Sequence, residues 1–411
     1  MAFELSYQTF TEQDDIFPSP DEGKGQIVNS YSAYTLAGND TINGEAFPGT
    51  YDEYGIRNYG IIDTGEGNDI ITGRSERYGI INSGTFNTGE GNDIITGRGF
   101  SAVGIQNTGT FNTGEGNDRI TADGGYYKGI ESTGTFNMGQ GNDTIYAGGK
   151  DYGFITSGTI NMGEGDDLID GNGRFIGIRI SGIFDTGDGN DRISGSGNPG
   201  LGTGIDNYSF TFNTGDGNDT IEGRGGISNE GLINTGNGKD IIIANGQAVY
   251  GQGYSLWNSF TIDTGEGDDI IITSNGIVYN EGVINTGDGN DTITSTGIIY
   301  NQGVIETGNG DDSIIVDGGI DLNSSGAWFL GEGDDYIKGF GSGNFYGGNG
   351  NDTLELTPGT YTVGRWGEGG ESPIFTKGNQ LMITSEFEKL KAGNTLYDFT
   401  SLIAGQIITV A

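Results

Sequence analysis

The sequence predicts an all-β protein, a parallel β-helix or β-solenoid of about 13 coils of about 24 residues with a cap at each end. Three repeated features predict it. A Gly-x-Gly-x-Asp turn recurs thirteen times, an apolar residue stands two places after each turn aspartate, and another stands seven places before it.

The first turns are Gly65, Gly67 and Asp69; Gly89, Gly91 and Asp93; Gly114, Gly116 and Asp118; Gly139, Gly141 and Asp143. They continue as Gly163, Gly165 and Asp167; Gly187, Gly189 and Asp191; Gly215, Gly217 and Asp219; Gly236, Gly238 and Asp240. The last five are Gly265, Gly267 and Asp269; Gly287, Gly289 and Asp291; Gly308, Gly310 and Asp312; Gly331, Gly333 and Asp335; Gly348, Gly350 and Asp352. A partial copy, Gly38-Asn39-Asp40, precedes them. Successive aspartates are mostly 21 to 29 residues apart, and the last step is 17.

The residue two after each aspartate is isoleucine from Ile42 and Ile71 to Ile337, and leucine at Leu354. Such a ladder predicts a strand whose neighbouring side chains face outward. The second ladder runs from Ile62, Phe86, Phe111 and Phe136 to Trp328 and Phe345. A third begins at Ile56, Ile80, Ile105 and Ile130, each after a glycine. Three inward ladders per coil predict three short strands. The recurring asparagines Asn58, Asn82, Asn107, Asn207, Asn229, Asn258, Asn280 and Asn301 predict an amide ladder closing one corner. Stacked about 4.8 Å apart, the coils would build a rod of roughly 60 Å. Right-handed crossovers are the expectation.

A variable corner absorbs the differences in coil length, long between Ala244 and Tyr254 and short at Ser274-Asn275-Gly276. It carries Arg74, Arg77, Arg98, Lys128, Lys150, Arg174 and Arg224, which polarises each coil between acidic turns and basic loops. Tyr54, Tyr78, Tyr126, Tyr127 and Tyr152 are expected to face solvent there. Residues 1–35 lack the acidic turn and are expected to cap the first coil; residues 36–354 form the repeats; residues 355–411 form the second cap. An open solenoid end is an exposed sheet edge, so caps are required.

The charge excludes several functions. Lys and Arg number 18 against 57 Asp and Glu, a formal net charge of −39. Nucleic-acid phosphates need a basic footprint, so no nucleic acid is expected as partner. No apolar stretch approaches a membrane span, and the first twenty residues lack a basic region followed by an apolar run. No membrane insertion and no cleaved N-terminal signal peptide are expected. Cysteine is absent, so no disulfide staples the chain. Histidine is absent too, which removes the commonest general base. Paired carboxylates such as Asp166-Asp167 and Asp334-Asp335 fall in the turn register, so no enzyme activity is expected.

The turn has the chemistry of a hard-cation site. Calcium takes six to eight oxygens from carboxylates and carbonyls. Glycine accepts positive φ and lets a turn aim its carbonyls inward, while the aspartate supplies charge. Stacked turns would share an ion between consecutive coils, giving roughly 12 calcium ions. Lys239 stands where other turns have Asn or Asp, and that coil is expected to hold calcium more weakly.

The run Thr64-Gly65-Glu66-Gly67-Asn68-Asp69-Ile70-Ile71-Thr72 resembles the Gly-Gly-x-Gly-x-Asp-x-apolar-x nonapeptide of repeats-in-toxin (hemolysin-type) calcium-binding proteins. Most copies carry Thr or Met at the first glycine, and the motif lies on one edge of the coil only. The resemblance covers roughly residues 38 to 355. It implies calcium held by the turn aspartates named above, Asp40 included, and by backbone carbonyls of adjacent turns. It also implies type I secretion read from an uncleaved C-terminal signal, hence a cell-surface or extracellular place. A bacterial ice-adhesion module is similar in its single edge, but its ice face uses Thr and Asn. Here that column reads Glu66, Glu90, Glu115, Gln140, Glu164 and Asp188, a poor ice template.

The functional expectation is a self-assembling surface-layer or fibril subunit, a homo-oligomer or filament stabilised by calcium. The alternative is a calcium-dependent adhesin or carbohydrate-binding module with a cell-surface glycan as partner. A polysaccharide-active β-helix enzyme and an ice-binding protein are the weaker readings.

Overall fold

The computed structural model describes residues 2–18, 25–46, 54–198, 200–247, 249, 251–367 and 372–411. Parts of the first twenty residues and of the long corner between Ala244 and Tyr254 lie outside the described residues. The chain is an all-β parallel solenoid of about 13 turns of about 24 residues. It divides into two compact units, residues 1–216 with 221–225, and residues 217–220 with 226–411.

One coil of the first unit shows the plan. After the acidic turn, Ile94–Gly99 enters sheet I. A corner leads to Val103–Asn107 in sheet II, and a tight Asn-x-Gly corner leads to Thr110–Glu115 in sheet III. Each strand pairs in parallel with its counterparts one coil away. Ile95 faces Ile71 and Ile120 in sheet I, Ile105 faces Ile80 and Ile130 in sheet II, and Phe111 faces Phe86 and Phe136 in sheet III. A period of two turns these residues inward, and identical register stacks like on like. The Phe86, Phe111 and Phe136 rings lie 4.8 and 5.1 Å apart and tilted by only 5° and 2°. All three ladders are buried, from Ile42 to Leu354 in sheet I and from Ile62 to Phe345 in sheet III.

The second unit repeats the plan. Ile271 of sheet I faces Ile242 and Ile293, and Ile284 of sheet III faces Ile262 and Ile305. At its end the parallel stacking gives way to an antiparallel meander. Gln380–Ser385 and Lys389–Ala392 still pair in parallel with the coil before them. Gly359–Trp366 then runs antiparallel to both Ser372–Lys377 and Ile407–Val410. Ile408 and Val410 are buried, so the apolar end of the chain packs.

The described strands before residue 35 pair with the coils that follow them. Ala2–Glu4 and Gln26–Asn29 join sheet II, Ile16–Phe17 joins sheet I and Ser32–Tyr34 joins sheet III. A coil needs apolar strands to stack; it does not need the acidic turn. No helix among the described residues is long and apolar enough to cross a membrane.

The asparagine column is a buried amide ladder. In the first unit Asn29 Nδ2 donates to Asn58 Oδ1 (2.8 Å), Asn58 to Asn82 (3.0 Å) and Asn82 to Asn107 (3.0 Å). In the second, Asn229 donates to Asn258, Asn258 to Asn280 and Asn280 to Asn301, each at 2.8 Å. Each Nδ2 also donates to a carbonyl of sheet III, for example Asn258 to Val283 (2.9 Å). Asn258→Ala should therefore leave Asn280 Oδ1 and the Val283 carbonyl without this donor in a dry corner. The expected loss is about 1–3 kcal/mol, read as a lower urea midpoint.

Candidate metal centre in the turns

The turn is built from its glycines. All motif glycines lie at positive φ, between +90° and +153°. Stacking demands glycine even more strictly than φ does. A Cβ on Gly89 would sit 1.8 Å from the Gly65 oxygen, and one on Gly91 would sit 1.8 Å from the Gly67 oxygen. The same approach recurs along each unit, so the close contact of coils sets the pattern.

With the glycines in place, the aspartate turns into the coil. The turn aspartates from Asp40 to Asp352 are at most 2% exposed. One carboxylate oxygen is committed. Along each unit the backbone N–H of one turn aspartate donates to Oδ1 of the aspartate one coil later. These distances are 2.7 Å for Asp93 to Asp118, Asp118 to Asp143 and Asp143 to Asp167. In the second unit they are 2.8 Å for Asp269 to Asp291 and 2.7 Å for Asp291 to Asp312. The row starts at Asp15, whose N–H reaches Asp40 (2.7 Å), and in the second unit it ends at Glu388, which accepts from Asp352 (2.7 Å).

The other oxygen is orphaned. Oδ2 of Asp40, Asp69, Asp93, Asp118, Asp143 and Asp167 is buried without a hydrogen-bond donor. So is Oδ2 of Asp240, Asp269, Asp291, Asp312, Asp335 and Asp352. Near most of them lies a threonine, five residues before the aspartate, but its single proton is used elsewhere. Thr88 Oγ1 donates to the Thr113 carbonyl (3.1 Å) and Thr264 Oγ1 to the Thr286 carbonyl (3.2 Å). The turns of Asp143 and Asp167 have Met138 and Met162 at this place instead.

Burying unpaired carboxylates is costly, and their proton affinity shows it. Burial pushes Asp69, Asp93, Asp240 and Asp291 up to about 6. It takes Asp143 and Asp312 to about 7, and Asp167 to about 8. Neighbouring carboxylates in the same row push further in the same direction.

Such a row needs protons or cations. The donor set suits a hard cation: dehydrated carboxylate oxygens in the turns, and main-chain carbonyls of the same turns that no N–H engages. Among the described residues no N–H donates to the carbonyls of Gly67, Gly91, Gly116 or Gly141, nor to those of the asparagines that follow them. The earlier glycine of each motif is placed differently, because its oxygen already accepts a ladder N–H, as Gly65 does from Glu90 (3.1 Å). Among the described residues no three acidic side chains converge on one point. Carboxylates alone therefore make no cage, and a cation here would rely on main-chain oxygens for the rest of its shell.

Lys239 lies in the solvent-facing asparagine column, its N–H bonded to Asn218 Oδ1 (2.9 Å), and leaves Asp240 as orphaned as the others. Of the corner tyrosines, Tyr126 is 63% exposed, but Tyr54 is only 7% exposed. Tyr54 starts a strand of sheet II under the Arg57 guanidinium, 4.6 Å from its ring, so pairing takes it out of the corner. Sequence reading missed Glu388 as the terminator of the row, and it missed the threonine ladder. The threonines do recur five before most aspartates, and that signal was open to view.

Replacing Asp143 by Asn tests the orphaned oxygen. The amide keeps an acceptor for the Asp118 N–H and removes the buried charge. Asp143→Asn should raise the melting temperature in chelator at about pH 8 and lower it in calcium, each by about 1–3 kcal/mol equivalent.

Fold and site together define a β-solenoid with a row of buried carboxylates in each unit. No family model and no curated protein matches the chain. Among solved structures it is similar to a hyperactive, Ca2+-dependent, beta-helical antifreeze protein from an Antarctic bacterium. Identity is 18%, coverage 96% of this chain and 97% of that one, and the TM-score 0.41.

Proposed function

We propose that this chain is a non-catalytic, calcium-stabilised structural protein that works outside the cell as a self-assembling surface-layer or fibril subunit. The observation that carries the reading is the orphaned, buried Oδ2 repeated in turn after turn. Roughly 12 divalent cations would offset about 24 of the 39 net negative charges. Asp40, Asp69, Asp93, Asp118, Asp143 and Asp167 would hold the ions in the first unit. Asp240, Asp269, Asp291, Asp312, Asp335 and Asp352 would hold them in the second. The carbonyls of the second motif glycines would complete the shells.

The resemblance to repeats-in-toxin proteins supports calcium and export by a type I route. Calcium availability supports the same place, because sites of weak extracellular type fill at millimolar calcium and stay empty at cytosolic levels. Self-assembly is supported by economy of sequence: nearly the whole chain is repeat.

Negative-stain microscopy with and without a few millimolar calcium tests the proposal. Filaments or sheets that form only in calcium are expected. Isolated particles in calcium at high protein concentration would overturn it and leave the adhesin reading.

A further inference from the structure

In the first unit the corner between sheets I and II is a fixed strip of cations and rings. Arg77 lies 5.3 Å from the Tyr78 ring, Lys150 4.5 Å from Tyr126, and Arg174 5.1 Å from Phe175. Phe100 is 56% exposed and Phe175 39%. The corners are bonded coil to coil: Phe100 N–H donates to Ser75 (3.1 Å), Gly125 to Gly99 (2.9 Å), Asp151 to Tyr127 (3.1 Å) and Phe175 to Asp151 (2.9 Å). The strip also holds Glu76, Asp123 and Asp151, with Asp123 3.7 Å from Arg98. Cations remain in excess there, on a chain whose net charge is −39.

Across sheet I from this strip runs the opposite charge. Glu66, Glu90, Glu115, Glu164 and Asp188 are exposed on the acidic turns of the same unit, in register with one another through Gln140. The turn carboxylates repeat at the strand spacing of about 4.8 Å, and the corner cations Arg77, Lys150 and Arg174 fall on three of five successive coils, at multiples of that spacing. A partner that meets cations placed at multiples of the strand spacing must present carboxylates on the same repeat, and a second copy of this chain does.

We propose that the cation–aromatic corner of one copy docks side by side on the acidic turn edge of another. The proposal rests on the assembly reading above and assigns its two surfaces. The contact is heterologous: a docked pair keeps one free strip and one free edge, so growth stays open-ended. Rings in the corner supply the apolar area, and the charges set register.

The test is a charge reversal, Arg77→Glu with Lys150→Glu and Arg174→Glu, followed by light scattering in calcium. The three side chains border solvent, so circular dichroism and the calcium-dependent melt should match wild type. Assembly should require more than about tenfold higher protein concentration. The edge variant Glu90→Lys, Glu115→Lys and Glu164→Lys should be equally impaired alone, and mixing the two variants should restore assembly. A corner variant that assembles like wild type would overturn the proposal and leave the assembly reading standing. Wild type that stays monomeric in calcium would end both. Loss of glycan capture by the corner variant, with assembly intact, would hand the strip to an adhesin role and also overturn the proposal.

Discussion

Chelating divalent cations at about pH 8 should unfold this protein, and acidifying the chelated sample to about pH 5 should restore part of its stability. The sign follows from the turn carboxylates. In the folded chain burial lifts them to about 6, 7 or 8, as at Asp93, Asp143 and Asp167, from an ordinary value of 3.8. Between those limits the folded state binds more protons than the unfolded state. Without metal, stability is therefore full below about pH 4 and is lost as pH rises through the folded values. Groups such as Glu222, held below its ordinary value chiefly by Arg224, act in the opposite sense but are few. On the proposed function calcium would take the place of the protons at neutral pH, so the calcium-loaded protein should be most stable where the chelated one is least. Thermal melts followed by circular dichroism, in calcium and in chelator, at both pH values, give the four numbers needed. A chelated sample that melts at the same temperature as the loaded one would sink the idea, and so would a chelated sample that loses stability on acidification from pH 8 to 5.

Gly141→Ala should be severely destabilising, as a methyl on any second motif glycine of the first unit should be. Gly141 has φ of +131°, and a Cβ there would stand 1.9 Å from the Gly116 oxygen. That oxygen belongs to the backbone of the preceding coil and has no rotamer to retreat into. Left-handed strain alone costs about 1–2 kcal/mol, and forcing two coils apart breaks their ladder as well. The expected loss is several-fold larger than that of Gly148→Ala one strand away, where a Cβ meets nothing within 4 Å. Urea unfolding of the pair gives the comparison. Hydrogen exchange should place the damage of Gly141→Ala in the coils next to it, because repeat stability is a sum of nearest-neighbour terms. Equal midpoints for the two variants would refute the steric account of the motif.

The ladders were legible in the sequence because a parallel coil repeats one environment, and Ile, Phe and Asn mark theirs by recurrence. The register of Phe86, Phe111 and Phe136 in sheet III is the spacing of those letters. What recurrence does not record is how many lone pairs an atom has already spent. Nothing in Gly-x-Gly-x-Asp says that Oδ1 is taken by a neighbouring N–H while Oδ2 is left bare, or that the first glycine's oxygen is engaged and the second's is not. Glu388 was hidden for another reason. It stands 36 residues from Asp352, outside the repeat, and only the folded chain brings its carboxylate to that N–H. Tyr54 was misplaced because the boundary between corner and strand is a matter of pairing.

The bond from each aspartate's N–H to the next carboxylate gives the stack a direction. A coil's donor is satisfied only once the coil after it has arrived, whereas its carboxylate is filled by the coil before. A half-built stack thus always presents a bare amide hydrogen on its C-terminal side, ready for the next carboxylate, and a spent carboxylate oxygen on its N-terminal side. Within either unit, folding that proceeds from the N-terminal side adds to a waiting donor, like a ratchet, and in the second unit Glu388 is where the ratchet stops.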